Sequence, residues 1–125
     1  MQGDARGRRL RLLLVEDHDL VRISSERALQ STFDVTAVAS GEEALVCVKP
    51  GAFDVVLTDF RMPTMTGIEL LEQLRLRDPR MRRVLMSGVD VPGLLGYRAV
   101  GLVQGFLRKP FDPRSARAVL DPSSA

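Results

Sequence analysis

The sequence predicts an α/β domain, a parallel sheet with helices on both faces. Three observations predict it. Short apolar runs recur five times, each bounded by turn residues. Stretches with helical periodicity or helix-capping signals separate them. The runs also end abruptly in polar residues, as at Glu16-Asp17, Asp59 and Ser87. Strand and helix alternating at this spacing pack as a parallel sheet layered by helices. The 125 residues suit one domain, and 45% hydrophobic content suffices for one core. With no Trp and a single Tyr, that core is aliphatic.

Each element has a local reason. Leu10 to Val15 is the first buried strand. Asp19 is placed to cap the helix after it, whose inner face is Val21, Ser25, Ala28, Leu29 and Thr32. Asp34 to Ala39 reads as a second strand, rich in β-branched residues. Ser40, with Glu43 three residues on, is a capping box opening a helix that Pro50-Gly51 ends. Phe53 to Thr58 is the third strand and stops at Asp59. Pro63 to Gly67 form a loop, and Ile68 to Arg77 a helix stopped by Asp78-Pro79. Arg83 to Met86 make the fourth strand. Val89 to Val100 contain Pro92, Gly93 and Gly96, all poor in a helix interior, so a short or mobile helix is expected. Val103 to Leu107 read as the fifth strand. Asp112 caps a last helix with Pro113 at its first position and Ala116, Val119 and Leu120 inward. The domain thus runs from 10 to 120, between a basic tail (1–9) and a short C-terminal tail (121–125).

Composition excludes several classes. Net charge is only +2, and the cluster Arg6, Arg8, Arg9 and Arg11 reads as a solvated tail. With no docking element for a groove, no nucleic-acid binding by this chain is expected. The lone Cys47 excludes an intramolecular disulfide and any Cys-based zinc cluster within one chain. No apolar run approaches the ~20 residues of a membrane span, and no signal peptide is visible. No membrane contact and a cytoplasmic location are the expectation.

The polar residues converge. Glu16 and Asp17 end strand one, Asp59 ends strand three, Ser87 ends strand four and Lys109 follows strand five. In a parallel sheet these ends share one edge, where ligands of open α/β sheets bind. Three carboxylates held together repel one another. A hard divalent cation such as Mg²⁺ relieves this, as does a lysine reaching in. Lys109 is one of only two lysines against 16 arginines, and a compact ammonium suits a single oxygen better than a planar fork. The set suits phosphoryl transfer to a carboxylate, with Asp59 as nucleophile, Lys109 stabilising an equatorial oxygen and Ser87 offering a hydroxyl.

These residues resemble the response-regulator receiver domain of two-component signal transduction. Leu13-Leu14-Val15-Glu16-Asp17 looks like its first strand and acidic pair. Asp54 to Asp59, with Met62-Pro63 and Gly67, looks like its phosphoacceptor signature. Ser87 matches its switch hydroxyl, and Phe106 to Phe111 its Lys-Pro-Phe signature. The likeness runs from Leu10 to about Leu120. It implies a doubly wound (βα)₅, flavodoxin-like fold with strand order 2-1-3-4-5. It implies Mg²⁺ held by Asp17, Asp59 and the backbone carbonyl of Arg61, with Glu16 acting through water, and a cis Lys109-Pro110 bond. It implies a phosphohistidine donor on a histidine kinase or histidine phosphotransfer domain, and a downstream protein target. On phosphorylation Ser87 moves toward the new oxygens, Phe106 turns inward and the face of helix four, strand five and helix five changes shape.

The sequence departs from the family at several points. Phe106 replaces a frequent Tyr, and Gly88 follows Ser87 where Ala is frequent. The stretch from Gly101 to Phe106 is one residue longer than the common pattern. Arg61 and Val89 occupy positions that tune phosphate lifetime. Two other readings compete. An enzyme with an aspartyl-phosphate intermediate would place a second acid where Arg61 stands, so no activity beyond self-phosphorylation and slow autodephosphorylation is expected. A degenerate receiver binding partners without phosphate would not need the full acidic and basic set. With no output domain after Leu120, the chain reads as a stand-alone regulator or as a receiver cut from a hybrid histidine kinase or longer regulator.

Overall fold

The computed structural model describes residues 8–124; residues 1–7 of the expected basic tail, with Arg6, and Ala125 lie outside them. The elements alternate as expected: β1 (Arg11–Val15), α1 (Asp19–Leu29), β2 (Asp34–Val38), α2 (Gly41–Cys47), β3 (Val55–Asp59), α3 (Gly67–Arg77), β4 (Arg82–Ser87), α4 (Leu94–Ala99), β5 (Gly105–Arg108) and α5 (Pro113–Leu120). A 3₁₀ turn, Pro122–Ser124, follows. All pairings are parallel, and the order is β2-β1-β3-β4-β5.

Alternation along the strands builds two cores. Leu13, Val15, Val56 and Leu85 face the α2, α3 and α4 side and meet Ala44, Leu70, Leu71 and Leu74. Leu12, Leu14, Leu57 and Met86 face the other side and meet Leu29, Phe33, Ala116 and Leu120. Both faces being covered, the strands are near-continuous hydrophobic runs, as parallel sheets require.

Several local expectations are corrected. The N-cap of α1 is His18, not Asp19. His18 Nδ1 accepts from the Val21 N–H at 3.4 Å, while Asp19 enters the first turn and pairs with Arg22 at 2.8 Å. Helix α2 stops at Cys47, before Pro50-Gly51, because Val48 already turns extended. At its start Ser40 Oγ accepts from the Glu43 N–H at 3.1 Å, but the Glu43 carboxylate returns to the Ala39 N–H, not to that of Ser40. Strand β5 begins at Gly105, not Val103. The N–H groups of Leu102 and Val103 both donate to Tyr97 O, at 3.0 and 3.2 Å, and so finish the C-terminal turn of α4. Helix α4 is short, as expected, with none of its residues buried. Gly93 (φ 77) and Gly101 (φ 76) bracket it in the left-handed region that favours glycine.

Arg83 does more than the strand role its sequence position suggests. It is 3% exposed, and its guanidinium donates to the carbonyls of Met81, Gly101 and Leu102 at 3.0–3.1 Å and of Pro79 at 3.3 Å. A buried cation survives there because its donors are occupied by carbonyls. These bonds also tie β4 to the α4–β5 loop.

Candidate functional site

The strand order reverses between β1 and β3. Val15 pairs with Thr58 across that junction, so the next residues, Glu16 and Asp59, emerge side by side. Ser87 pairs with Arg108 on the neighbouring strands, which brings Lys109 to the same edge. Each of Glu16, Asp17 and Asp59 offers a carboxylate oxygen within 4.8 Å of the others. Glu16 is 1% exposed and Asp59 7%, so their charges need compensation.

Lys109 supplies it. Its Nζ lies 2.8 Å from Glu16 Oε1 and 2.8 Å from Asp59 Oδ1. Burial alone would lower the lysine pKa. Hydrogen bonds to Asp59 and Glu16, and the charges of both, outweigh burial and raise it above its ordinary value. The Lys109-Pro110 bond is cis, as the resemblance implies.

Glu16 is held from three sides. Its N–H donates to Val38 O, its Oε2 accepts from the His18 N–H at 3.1 Å, and its carbonyl accepts from Arg22 at 3.1 Å. Asp59 is held from below. Gly67, the first residue of α3, sits so close that a Cβ there would lie 2.3 Å from Asp59 O. The Gly67 N–H closes the β3–α3 loop onto Phe60 O at 2.8 Å. Thr66 and Glu69 form a reciprocal capping box, with bonds of 3.1 and 3.0 Å, that fixes where α3 begins. The signal for this box lies in the sequence, where Thr66 precedes Glu69 by three residues just ahead of the Leu70-Leu71 pair.

The structure does not bring every predicted residue into the cluster. Ser87 is buried, but its hydroxyl is committed to its own turn. It donates to Val89 O at 2.7 Å and accepts from the Val89 N–H at 3.1 Å. Phe106 stands opposite Leu85 and, half-buried, packs on the α2–α4 side core. Arg61 is exposed in the β3–α3 loop. Among the described residues, no helix is long and apolar enough to cross a membrane.

The donor set is one of hard oxygens on a compact frame. Three carboxylates so spaced fit a small divalent cation such as Mg²⁺, which takes one or two carboxylates and keeps several waters. Lys109 contacts two of the three carboxylates, and its single positive charge offsets one of their three negative charges.

Comparison with known proteins agrees with this geometry. Residues 12–121 match the response regulator receiver domain family. Over 103 residues the chain is 40% identical to the sensor kinase CckA of Brucella abortus, covering 80% of this chain and 11% of that protein. It is 34% identical over 110 residues to the DNA-binding transcriptional regulator NtrC of Klebsiella pneumoniae, covering 86% of this chain and 23% of the relative. The chain thus spans less than a quarter of the length of these two relatives. Among solved structures, the chemotaxis protein CheY4 of Vibrio cholerae superposes with a TM-score of 0.80 at 27% identity, covering 90% of this chain and 100% of that one. The family match over nearly the whole chain, the 2-1-3-4-5 sheet and the lysine-bridged acidic edge lead to one conclusion: this chain belongs to the receiver domains of two-component response regulators.

Proposed function

We propose that this receiver is phosphorylated on Asp59, taking the phosphoryl group from a phosphohistidine on a histidine kinase or histidine phosphotransfer domain. The observation that carries the reading is the Lys109 ammonium, 2.8 Å from both Glu16 and Asp59 within the acidic cluster. The ammonium bridges Asp59 and Glu16 at the C-terminal edge of the sheet, where it can also reach a group bound to Asp59.

The chemistry follows from the chain's own groups. An Asp59 oxygen attacks phosphorus, and the P–N bond of the donor breaks with its electron pair returning to the imidazole. Receiver domains bind Mg²⁺ at an acidic cluster, and Asp17, Asp59 and the Arg61 carbonyl would hold it here, with Glu16 acting through water. When bound, Mg²⁺ would neutralise charge on the transferring group. Lys109 stabilises an equatorial oxygen of that group. The Ser87 hydroxyl exchanges Val89 O for a phosphate oxygen, releasing the turn it now holds. Phe106 then fills the vacated space, and the α4–β5–α5 face shifts toward a second population that a downstream protein target reads.

Receiver domains are regulatory, and the chemistry proposed here is confined to phosphorylation of Asp59 and its slow autohydrolysis. A cytoplasmic setting belongs to the same proposal, because phosphohistidine donors are charged from intracellular nucleotide. The chain acts as a stand-alone regulator or as the receiver of a hybrid histidine kinase or longer regulator; its relatives include both a sensor kinase and transcriptional regulators.

The test is a titration with Mg²⁺ and beryllofluoride, a phosphoryl mimic, followed by backbone NMR on wild type and Asp59→Asn. Shifts at Asp59, Ser87 and Lys109 that spread to Phe106 and α4 in wild type only are expected. A folded wild type that does not respond would leave a phosphate-independent interaction module as the better account.

A further inference from the structure

The metal site proposed above includes a backbone carbonyl, that of Arg61, in the β3–α3 loop. A carbonyl ligand is only as well placed as its loop. The neck of this loop is closed by the Gly67–Phe60 bond, and its exit by the Thr66–Glu69 box. Neither reaches the tip. A separate contact does. Thr64 Oγ1 donates to Glu42 Oε2 at 2.6 Å, bridging 22 residues from the loop to the first turn of α2. Beside it, Gly41 is buried against Met65, whose Sδ would lie 2.8 Å from a Cβ at that position. The Thr64 bond also lowers the Glu42 pKa, which keeps the acceptor ionised. Helix α2 is itself anchored at its start by the Ser40 and Glu43 bonds.

We propose that Glu42 and Thr64 are positioning residues for the metal site, a latch from α2 that holds the tip of the β3–α3 loop and thereby the Arg61 carbonyl. Gly41 permits the latch by letting Met65 lie flat on the start of α2. Neither Thr64 nor Glu42 touches the acidic cluster, so the latch acts only through the loop. Outer partners of metal ligands are commonly worth about tenfold or more in affinity. This pair is exposed, so the lower end, roughly three- to tenfold, is expected. The inference rests on the metal site of the preceding section.

Two readouts separate the two ideas. The first is Mg²⁺ affinity from amide shifts of Asp59 and its neighbours. The second, without metal, is hydrogen exchange of the amides of Arg61, Met62, Thr64 and Met65. Thr64→Val is expected to weaken Mg²⁺ binding and to speed exchange in the loop, with melting temperature near that of wild type. Glu42→Ala is expected to do the same. Thr64→Ser and Glu42→Gln, which keep a donor and an acceptor, are expected to behave as wild type. If wild type binds Mg²⁺ and Thr64→Val binds it equally, with unchanged loop exchange, the latch is refuted while the metal site stands. If wild type fails to bind Mg²⁺, the metal site is refuted and the latch with it. If Thr64→Ser is as weak as Thr64→Val, the hydrogen bond is not the cause and the inference falls.

Discussion

Replacing Gly67 by Ala tests how tightly the end of β3, at Asp59, is held. The new Cβ would lie 2.3 Å from Asp59 O and 2.8 Å from Leu85 Cδ1. The leucine methyl can rotate away, but a backbone oxygen cannot. To restore van der Waals distance, α3 and the end of β3 must separate by roughly 1 Å. That movement strains the Gly67–Phe60 hydrogen bond and disturbs the packing of buried Ile68, Leu70 and Leu71. Overpacking of this kind costs about 3 kcal/mol, the upper end of the usual range. For a domain of this length that is a fall in melting temperature of about 10 °C. A matched control is available in Gly96, where a Cβ meets nothing within 4 Å. Gly96→Ala gains helix propensity of about 0.5–1 kcal/mol and melts a few degrees higher. Thermal unfolding by circular dichroism compares the two, and beryllofluoride titration reports on Asp59. If Gly67→Ala melts as wild type does and binds beryllofluoride as tightly, the close approach is not a constraint and the packing argument fails.

Two further expectations concern Lys109. Lys109→Met leaves Glu16 and Asp59 buried with no cation between them. Unpaired buried charge is costly, but the lysine side chain is 21% exposed, so a loss of about 2 kcal/mol is expected, the screened end of the range. Mg²⁺ should raise the melting temperature of this variant more than that of wild type; an equal rise would mean that the ammonium does not balance the cluster. The second concerns alkaline pH. The folded lysine pKa is raised above the ordinary 10.5, so the folded state binds the proton more tightly. The associated stability is fully present below pH 10.5 and is lost as pH rises through the higher folded value. Lys109→Met should lack this alkaline loss; urea melts of both proteins between pH 9 and 12 check it, and parallel curves would count against the pairing.

Much of the site was legible because parallel sheets obey a simple rule. Polar residues that end successive strands must share an edge, so Glu16, Asp17, Asp59 and Lys109 could be brought together from spacing alone. Register then set the details: Val15 beside Thr58 makes Glu16 and Asp59 neighbours. The Ser87 rotamer was not legible, since a hydroxyl at a strand end can face the cluster or its own turn. The turn won, with both bonds going to Val89. Likewise nothing local distinguishes His18 from Asp19 as the cap of α1; the exit of the chain from β1 places the His18 ring over the Val21 N–H.

By itself the sequence determined the alternation of elements, the two-faced apolar strands and the polar residue types at the C-terminal edge of the sheet. These follow from periodicity and turn chemistry, which act over a few residues. Tertiary structure alone decided which oxygens Lys109 bridges, that Arg83 is buried under a set of carbonyls, that β5 waits until Gly105, and that Thr64 meets Glu42. Each of these joins groups distant in the chain, or settles a contest between two local hydrogen-bonding choices. The outcome depends on where packed helices and strands bring the competing partners, and that is a property of the folded whole.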